Sequence, residues 1–310
     1  MAKEKATTPA ADTAPTTPPP AGGPKSTPKA KTQASSETMT GTPIGTAVML
    51  EQAVPKFRPP WIVIYAVEGW GKTSLAAFTP KPAILMAKGE TGYSTLLGNG
   101  MVPAMPAATI ENWPDLMATL TYYADPETEL PFKTLIQDAM GGFESMCHQM
   151  VCNRDYGGDW GDKGFMSFHK GYKTALPDWD LMLALLEQIR DKGVMIIQIG
   201  HHQIKNTQNP MGADYDSYIC DLNKDTWSRT CRQADTTWFG KFKTIVDVEK
   251  GKKKGKGIGG TSRVIYTEQC DAFTAKNRYR LPPEILMHDG IDGPQESWNM
   301  MWKLITANAQ

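Results

Sequence analysis

The stretch "AVEGWGKTS", residues 66–74, decides how this chain is read. It departs at one position from the phosphate-loop pattern G-x-x-x-x-G-K-[ST]. Ala66 stands where the first glycine is expected, followed by Val67, Glu68, Gly69, Trp70, Gly71, Lys72, Thr73 and Ser74. Such a loop wraps backbone N–H groups and a helix N-terminus around phosphates. In that geometry Gly69 and Gly71 let the backbone come close, Lys72 reaches the β- and γ-phosphates, and the Thr73 hydroxyl ligates Mg²⁺. The first position only begins the bend. Alanine there costs the pattern more than the chemistry, provided the local dihedrals stay negative.

The surroundings support the loop. "WIVIYAV", 61–67, is a short β-branched apolar run that ends in glycines, and "KTSLAAFT" after it reads as helix. "PAILMA", 82–87, is a second buried strand ending at "KGETG"; "FKTLIQDAMGG", 132–142, is a third, and "VMIIQIGHH", 194–202, a fourth. Between them, helical spacing marks 111–124, 142–153 and 177–192. Residues 205–225 read as polar and irregular and 226–234 as a short helix. "DTTWFGKFKTIVDVE" and "SRVIYTEQ" read as antiparallel strands. Alternating strands and helices predict an α/β fold with a mostly parallel central sheet flanked by helices and an antiparallel C-terminal extension.

Strand ends supply the other candidate residues. Asp138 closes "TLIQD", where a carboxylate reaches a nucleotide-bound metal. Glu90, just past the second strand, is placed as general base for an attacking water. His201 follows the fourth strand directly and is chosen over His202 as a γ-phosphate sensor, because the ligand crevice of an open α/β sheet lies at the C-terminal strand ends. The alternative for each is an ordinary surface acid or structural histidine.

Composition bounds the rest. Residues 1–45 hold eight of the 23 prolines, with no Leu, Val or aromatic residue and Ile44 as the one Ile. Such a segment cannot offset its ordering entropy by burial and is expected to be a disordered arm. It lacks the arginines and amphipathic stripe of a transit peptide. Residues 46–290 are then the catalytic domain, and 291–310 a tail with room for a short helix. Lys+Arg and Asp+Glu balance at 33 each, so net charge names no partner. With no apolar run of membrane-spanning length and no signal peptide, a cytoplasmic protein is expected. Among five scattered cysteines, Cys147, His148 and Cys152 invite a zinc reading, but no second pair follows, and buried thiols fit better.

"GWGKTSLA", "KGETG", "LIQD", "RDYGGDWG", "GADYDSY" and "AKNRYRLP", spread over about residues 57–286, together resemble the phage-type nucleotide-binding AAA family ATPases. This RecA-like P-loop NTPase group includes phage single-strand annealing recombinases. The resemblance implies ATP and Mg²⁺ as cofactors, a homo-oligomer, and a trans-acting pair, Lys276 and Arg278, that reaches the neighbour's nucleotide and makes a monomer nearly inactive. It also implies DNA-binding loops at roughly 154–175 and 204–225. The first interleaves Arg154, Lys163, Lys170 and Lys173 with Tyr156, Trp160, Phe165, Phe168 and Tyr172, a pattern that suits single-stranded DNA. It equally suits an aromatic loop packed on the core. "KGKKKGK", 250–256, adds five lysines on a hairpin tip, as a phosphate-tracking patch or a solvated loop. The function the resemblance implies is that of an ATPase in DNA recombination, repair or single-strand annealing; a replicative helicase-like motor and a nucleotide-dependent switch or scaffold without nucleic acid are the alternatives. No Asn-Lys-x-Asp motif is present, which favours ATP over GTP.

Overall fold

The computed structural model describes residues 56–209, 212–247 and 256–307, together with Leu50, Gln52 and Val54. The expected arm 1–45 and Lys250–Lys254 of the lysine cluster lie outside the described residues. From Val54 onward the chain forms one compact unit. In order along it come β1 (Trp61–Ala66), α1 (Lys72–Ala77), β2 (Pro82–Ala87), α2 (Gly92–Gly98), β3 (Ala107–Ile110), α3 (Trp113–Ala124), β4 (Thr134–Asp138) and α4 (Met140–Tyr156). There follow α5 (Lys170–Thr174), α6 (Leu176–Asp191), β5 (Met195–Thr207), β6 (Tyr215–Cys220), α7 (Lys224–Gln233) and β7 (Thr236–Asp247). The chain then forms β8 (Lys256–Tyr266), β9 (Lys276–Asn277), β10 (Glu284–Leu286) and α8 (Gly293–Ala307).

The sheet order is β10-β8-β7-β1-β5-β4-β2-β3. From β7 to β3 every pairing is parallel, and β8 and β10 add antiparallel at the β7 edge. The architecture expected from the sequence is the one found.

β1 shows why its sequence is apolar at every position. Trp61, Val63 and Tyr65 pack on one face against α3, α4, α6 and α7, in a core with Trp113, Phe143, Trp179 and Trp227. Ile62, Ile64 and Ala66 pack on the other against α1 and α8, with Leu75, Trp298 and Met301. A strand covered on both faces has no solvent side to mark with polar residues. α8 thus belongs to the core of this unit. The buried amides on the first face are satisfied by one another: Trp61 Nε1 donates to Gln198 Oε1 at 2.8 Å, and Gln198 Nε2 to Gln137 Oε1 at 2.8 Å, tying β1, β5 and β4 together.

Three local expectations need correction. Residues 205–225 are not irregular: β5 runs on past the sheet to Thr207 and folds back through β6 as an antiparallel two-stranded arm, His202 opposite Cys220 and Thr207 opposite Tyr215. Ile204, Lys205, Asn206 and Asp216 of this arm are exposed, so its sequence is mostly polar and lacks the alternation of a half-buried strand. α2 and β3 were also not anticipated. One is seven residues bounded by glycines and the other four residues long, too short for periodicity to register. Finally, the stretch after 154 is not all loop, since α4 extends to Tyr156 and a single 3-10 turn (Ser167–His169) leads into α5.

β7 carries a glycine that the fold requires. A Cβ added at Gly240 would lie 2.7 Å from the Ala66 Cβ and 2.7 Å from the Trp70 ring. Gly240→Ala is therefore expected to destabilise the protein by about 1–3 kcal/mol through overpacking. A denaturant midpoint unchanged from wild type would show that the contact is not tight.

Candidate functional site

The register of the parallel strands assembles one edge. Ala66, the last residue of β1, lies beside His201 of β5 and Gly240 of β7. Asp138, the last of β4, lies beside Met86 of β2 and Ile199 of β5. The loop 67–71 leaves this edge and delivers the chain to α1.

Gly69 (φ 71°) and Gly71 (φ 100°) are both left-handed, a conformation that glycine adopts without steric cost. Ala66 is fully buried and keeps an ordinary strand conformation. Its methyl group occupies the space that Gly240 leaves open. The small residue absent from the loop is thus supplied by the neighbouring strand. Trp70 is 1% exposed, with its ring over Gly240, and Glu68 and Gly69 are exposed. The N–H groups of Lys72, Thr73 and Ser74 precede the first intrahelical bond, Leu75 N–H to Gly71 O at 2.9 Å, and belong to the helix's free donors.

Lys72 is 9% exposed, and its Nζ donates to Ala66 O at 3.2 Å. Burial lowers its pKa, against the opposing pull of Asp138, Glu68 and Glu90. It has no ion pair among the described residues. A buried ammonium partnered only by a carbonyl calls for an anion, and phosphate is the anion that the surrounding N–H groups suit. Thr73 Oγ1 donates to Asp138 Oδ2 at 2.6 Å. Burial raises the Asp138 pKa, partly offset by that hydrogen bond. A hydroxyl and a buried carboxylate side by side are hard oxygen donors of the kind that Mg²⁺ takes beside phosphate.

Glu90 follows Gly89 at the end of β2, and its Oε1 lies 3.3 Å from His201 Nε2. This contact is the largest cause of a lowered Glu90 pKa and of a raised His201 pKa. His202 turns elsewhere: its ring lies 5.7 Å from that of Tyr218, and its Nδ1 is 3.5 Å from Glu68 Oε2 without a hydrogen bond. The structure thus brings together Ala66, Gly69, Trp70, Gly71, Lys72, Thr73, Ser74, Asp138, Glu90 and His201, with Glu68 at the rim.

Lys276 and Arg278 are elsewhere. β9 pairs with the start of β7, where Thr236 is level with Ile62. That is four residues back along the sheet from Ala66, roughly 13 Å at the strand rise. The Lys276 ammonium donates to the carbonyls of Cys231, Arg232 and Ala234 and so caps α7. Its pKa is lowered by burial and by Arg278. Arg278 is more exposed and lies 3.3 Å from Asp235, a carboxylate that also accepts from the Trp61 N–H, Arg190 and Tyr279. Neither cation stands at its own chain's phosphate loop.

Two site residues escaped the sequence reading. Gly240 left a signal, a lone glycine inside the strand run "TTWFGKF", which marks close backbone approach. Arg263, on β8, left none. A Cβ built on Gly71 would lie 4.0 Å from its Nε.

The 154–175 region divides sharply. Tyr156, Trp160 and Tyr172 pack around the fully buried Phe165, with ring centroids 4.7–5.6 Å apart. His148 joins this cluster beside the buried thiols Cys147 and Cys152. Arg154 is held by Asp155 and Asp178. Phe168 alone of the five aromatics stands out, 89% exposed, and Lys163, Lys170 and Lys173 of the same stretch are exposed as well. Among the described residues no helix is long and apolar enough to cross a membrane.

The RadB recombinase crystal structure is similar at 11% identity and a TM-score of 0.43, over 76% of this chain and 90% of that one. The flagellar accessory protein FlaH from Methanocaldococcus jannaschii is similar at 10% identity and a TM-score of 0.36, over 74% of this chain and 85% of that one. No match was found among curated proteins. A family model described as an AAA domain matches residues 58–279, from just before β1 to just after β9, and the chain belongs to that family.

Proposed function

We propose that the protein is a Mg²⁺-dependent ATPase that works on single-stranded DNA as a homo-oligomer. The observation that carries the ATPase reading is the Thr73–Asp138 hydrogen bond beside the buried Lys72. It unites the end of the phosphate loop with the acid of a different strand. In this reading the N–H groups from Gly69 to Ser74 cradle the phosphates and Lys72 neutralises the β- and γ-oxygens. Thr73 and Asp138 would hold Mg²⁺, which would supply positive charge against the phosphates.

Glu90 accepts a proton from the attacking water, and His201 fixes its direction and keeps it ionised. Ionisation of Glu90 is complete above the ordinary carboxylate range and is lost only as pH falls through its lowered folded value. Lys276 and Arg278 act, in this proposal, across a subunit boundary, consistent with their distance from their own loop. For DNA, the support is Phe168: it and His169 are consecutive left-handed non-glycine residues (φ 46° and 57°), and its ring is exposed and fit to stack on a base, in a stretch that also carries the exposed Lys163, Lys170 and Lys173.

ATP turnover measured over a protein-concentration series, with and without single-stranded DNA, tests the assembly. Turnover should rise steeply with protein and with DNA, and fall by about three orders of magnitude in Lys72→Ala and in Arg278→Ala. Mixing the two variants should restore part of it, because a wild-type loop then meets a wild-type finger. Turnover linear in protein and indifferent to DNA would instead leave a self-contained nucleotide switch.

Replacing His201 by Gln removes the contact that lowers the Glu90 pKa, so the acid limb of the kcat/KM profile should move to higher pH. An unmoved limb would show that Glu90 does not set it. For DNA, Phe168→Ala should weaken binding of a fluorescent oligothymidine by about 1–3 kcal/mol per lost stack, with ATP affinity unchanged. Equal binding by both proteins would remove Phe168 from the interface.

A further inference from the structure

The carboxylate of Asp235, between α7 and β7, is buried and tied to several elements at once. Its Oδ2 accepts the Trp61 N–H at 3.1 Å from the start of β1 and the Tyr279 hydroxyl at 3.0 Å, together with a donor of Arg190, itself buried near the end of α6. Main-chain bonds fix the same residue. The Asp235 N–H donates to Trp61 O at 2.9 Å, and Asp235 O accepts the Arg278 N–H at 3.2 Å. An acid held by side chain and backbone together has little room to move.

Its second oxygen meets a different kind of group. Oδ1 lies 3.3 Å from Nη1 of Arg278, whose side chain is 54% exposed. Arg190 already matches the charge of the carboxylate, so the Arg278 contact at the solvent edge acts on direction more than on stability. A guanidinium carries five N–H donors in a rigid fork. Nη1 gives one to Asp235 and Nη2 lies 3.5 Å from Arg232 O, so donors remain for a phosphate oxygen. The base of the side chain is fixed as well. Asn277 pairs with Thr236 across β9 and β7, and its Oδ1 accepts the N–H groups of Tyr279 and Leu281 at 3.2 and 3.0 Å, closing the turn that carries Arg278.

We propose that Asp235 is a positioning residue for ATP hydrolysis, aiming the exposed Arg278 guanidinium at the nucleotide of a neighbouring copy. The inference rests on the trans-acting reading above and deepens it. A cation that stabilises transition-state charge must be in place beforehand, and a misplacement of about 1 Å costs about a hundredfold in rate. A free arginine side chain has rotamer freedom to lose on reaching its target. One steered by a buried carboxylate has lost part of it already. Because that carboxylate is bonded to the first residue of β1, the strand that ends at Ala66, the aim of Arg278 is set by the same strand that starts its own copy's phosphate loop.

Asp235→Asn separates the two parts the carboxylate plays. Three donors meet Oδ2, so the amide keeps its oxygen there and turns its NH₂ group toward Arg278, donor against donor. Arg190 retains Glu187 at 3.6 Å and the Pro59 carbonyl. ATP turnover is measured with oligothymidine present, for this variant alone and in equal mixtures with Lys72→Ala and with Arg278→Ala. Alone it should lose about 10–100-fold in kcat, with KM for ATP within about twofold of wild type. Lys72→Ala should restore part of the loss, because its intact Arg278 serves the intact loop of the Asp235→Asn copy. Arg278→Ala should restore none, because neither protein then offers an aimed finger. Wild-type kcat in Asp235→Asn, rescue by Arg278→Ala, or failure with both partners, as a merely structural role predicts, would overturn the assignment. If Asp235→Asn alone does not fold, the double variant Arg190→Met, Asp235→Asn removes both buried charges and is read in the same mixtures. Lys72→Ala mixed with Arg278→Ala is the control. No restoration there loses the trans-acting reading and this inference with it, whereas restoration beside a wild-type Asp235→Asn loses this inference alone.

Discussion

The parallel hydrogen bonding of β1, β4 and β5 is the constraint on which the site depends. It sets Ala66 level with His201 and Asp138 level with Ile199, so residues more than 130 positions apart in sequence end at one edge. A one-residue slip would turn every inward side chain to the opposite face. Two features oppose such a slip. Both faces of β1 are buried against different helices, and the Trp61–Gln198–Gln137 chain of hydrogen bonds leaves no spare partner if any strand shifts. Rigidity at this edge is what lets Thr73 meet Asp138 and Glu90 meet His201 at hydrogen-bonding distances.

The last parallel strand, β7, and the antiparallel β8 beside it are both part of the site. Gly240 of β7 makes room for both the Ala66 methyl and the Trp70 ring, and Arg263 of β8 comes up against Gly71. A phosphate loop that carries a bulky indole must have somewhere to put it. Here the indole is buried against the next strand instead of standing in the crevice. The alanine at the first loop position and the glycine in β7 are two halves of one packing solution.

Charge is managed by exchange among neighbours. Asp138 and Glu90 raise the Lys72 pKa, Lys72 lowers those of Asp138 and Glu90, and burial works against the charged forms of Lys72 and Asp138. That tension is a common property of sites that bind ions. At the far end of the sheet Asp235 plays the opposite part, with its carboxylate fully engaged by Arg190, Tyr279, Arg278 and the Trp61 N–H. One cluster is left short of partners, while the Asp235 carboxylate ties together β1, α6 and the segment after β9 through Trp61, Arg190 and Tyr279.

The sequence by itself determined the elements whose signals are local. β1 with its glycine-rich turn, the acid that ends "TLIQD", the strand before His201 and the long amphipathic α6 all have periodicity or turn chemistry strong enough to read without a fold. It determined the residue types at the loop as well, because phosphate chemistry admits few substitutes for Gly71, Lys72 and Thr73. What tertiary structure alone decided is whatever depends on which side chain faces where. Of five aromatics between 154 and 175, Phe165 is fully buried with the half-buried rings of Tyr156, Trp160 and Tyr172 packed around it, while Phe168 stands exposed. Lys276 turned to the carbonyls of α7, the polar run after His202 became a paired arm, and Arg263 arrived at the loop from a strand more than 190 residues further along the chain. Contacts of that separation leave no trace in local pattern, since they follow from strand order, and strand order is set by the packing of the whole sheet.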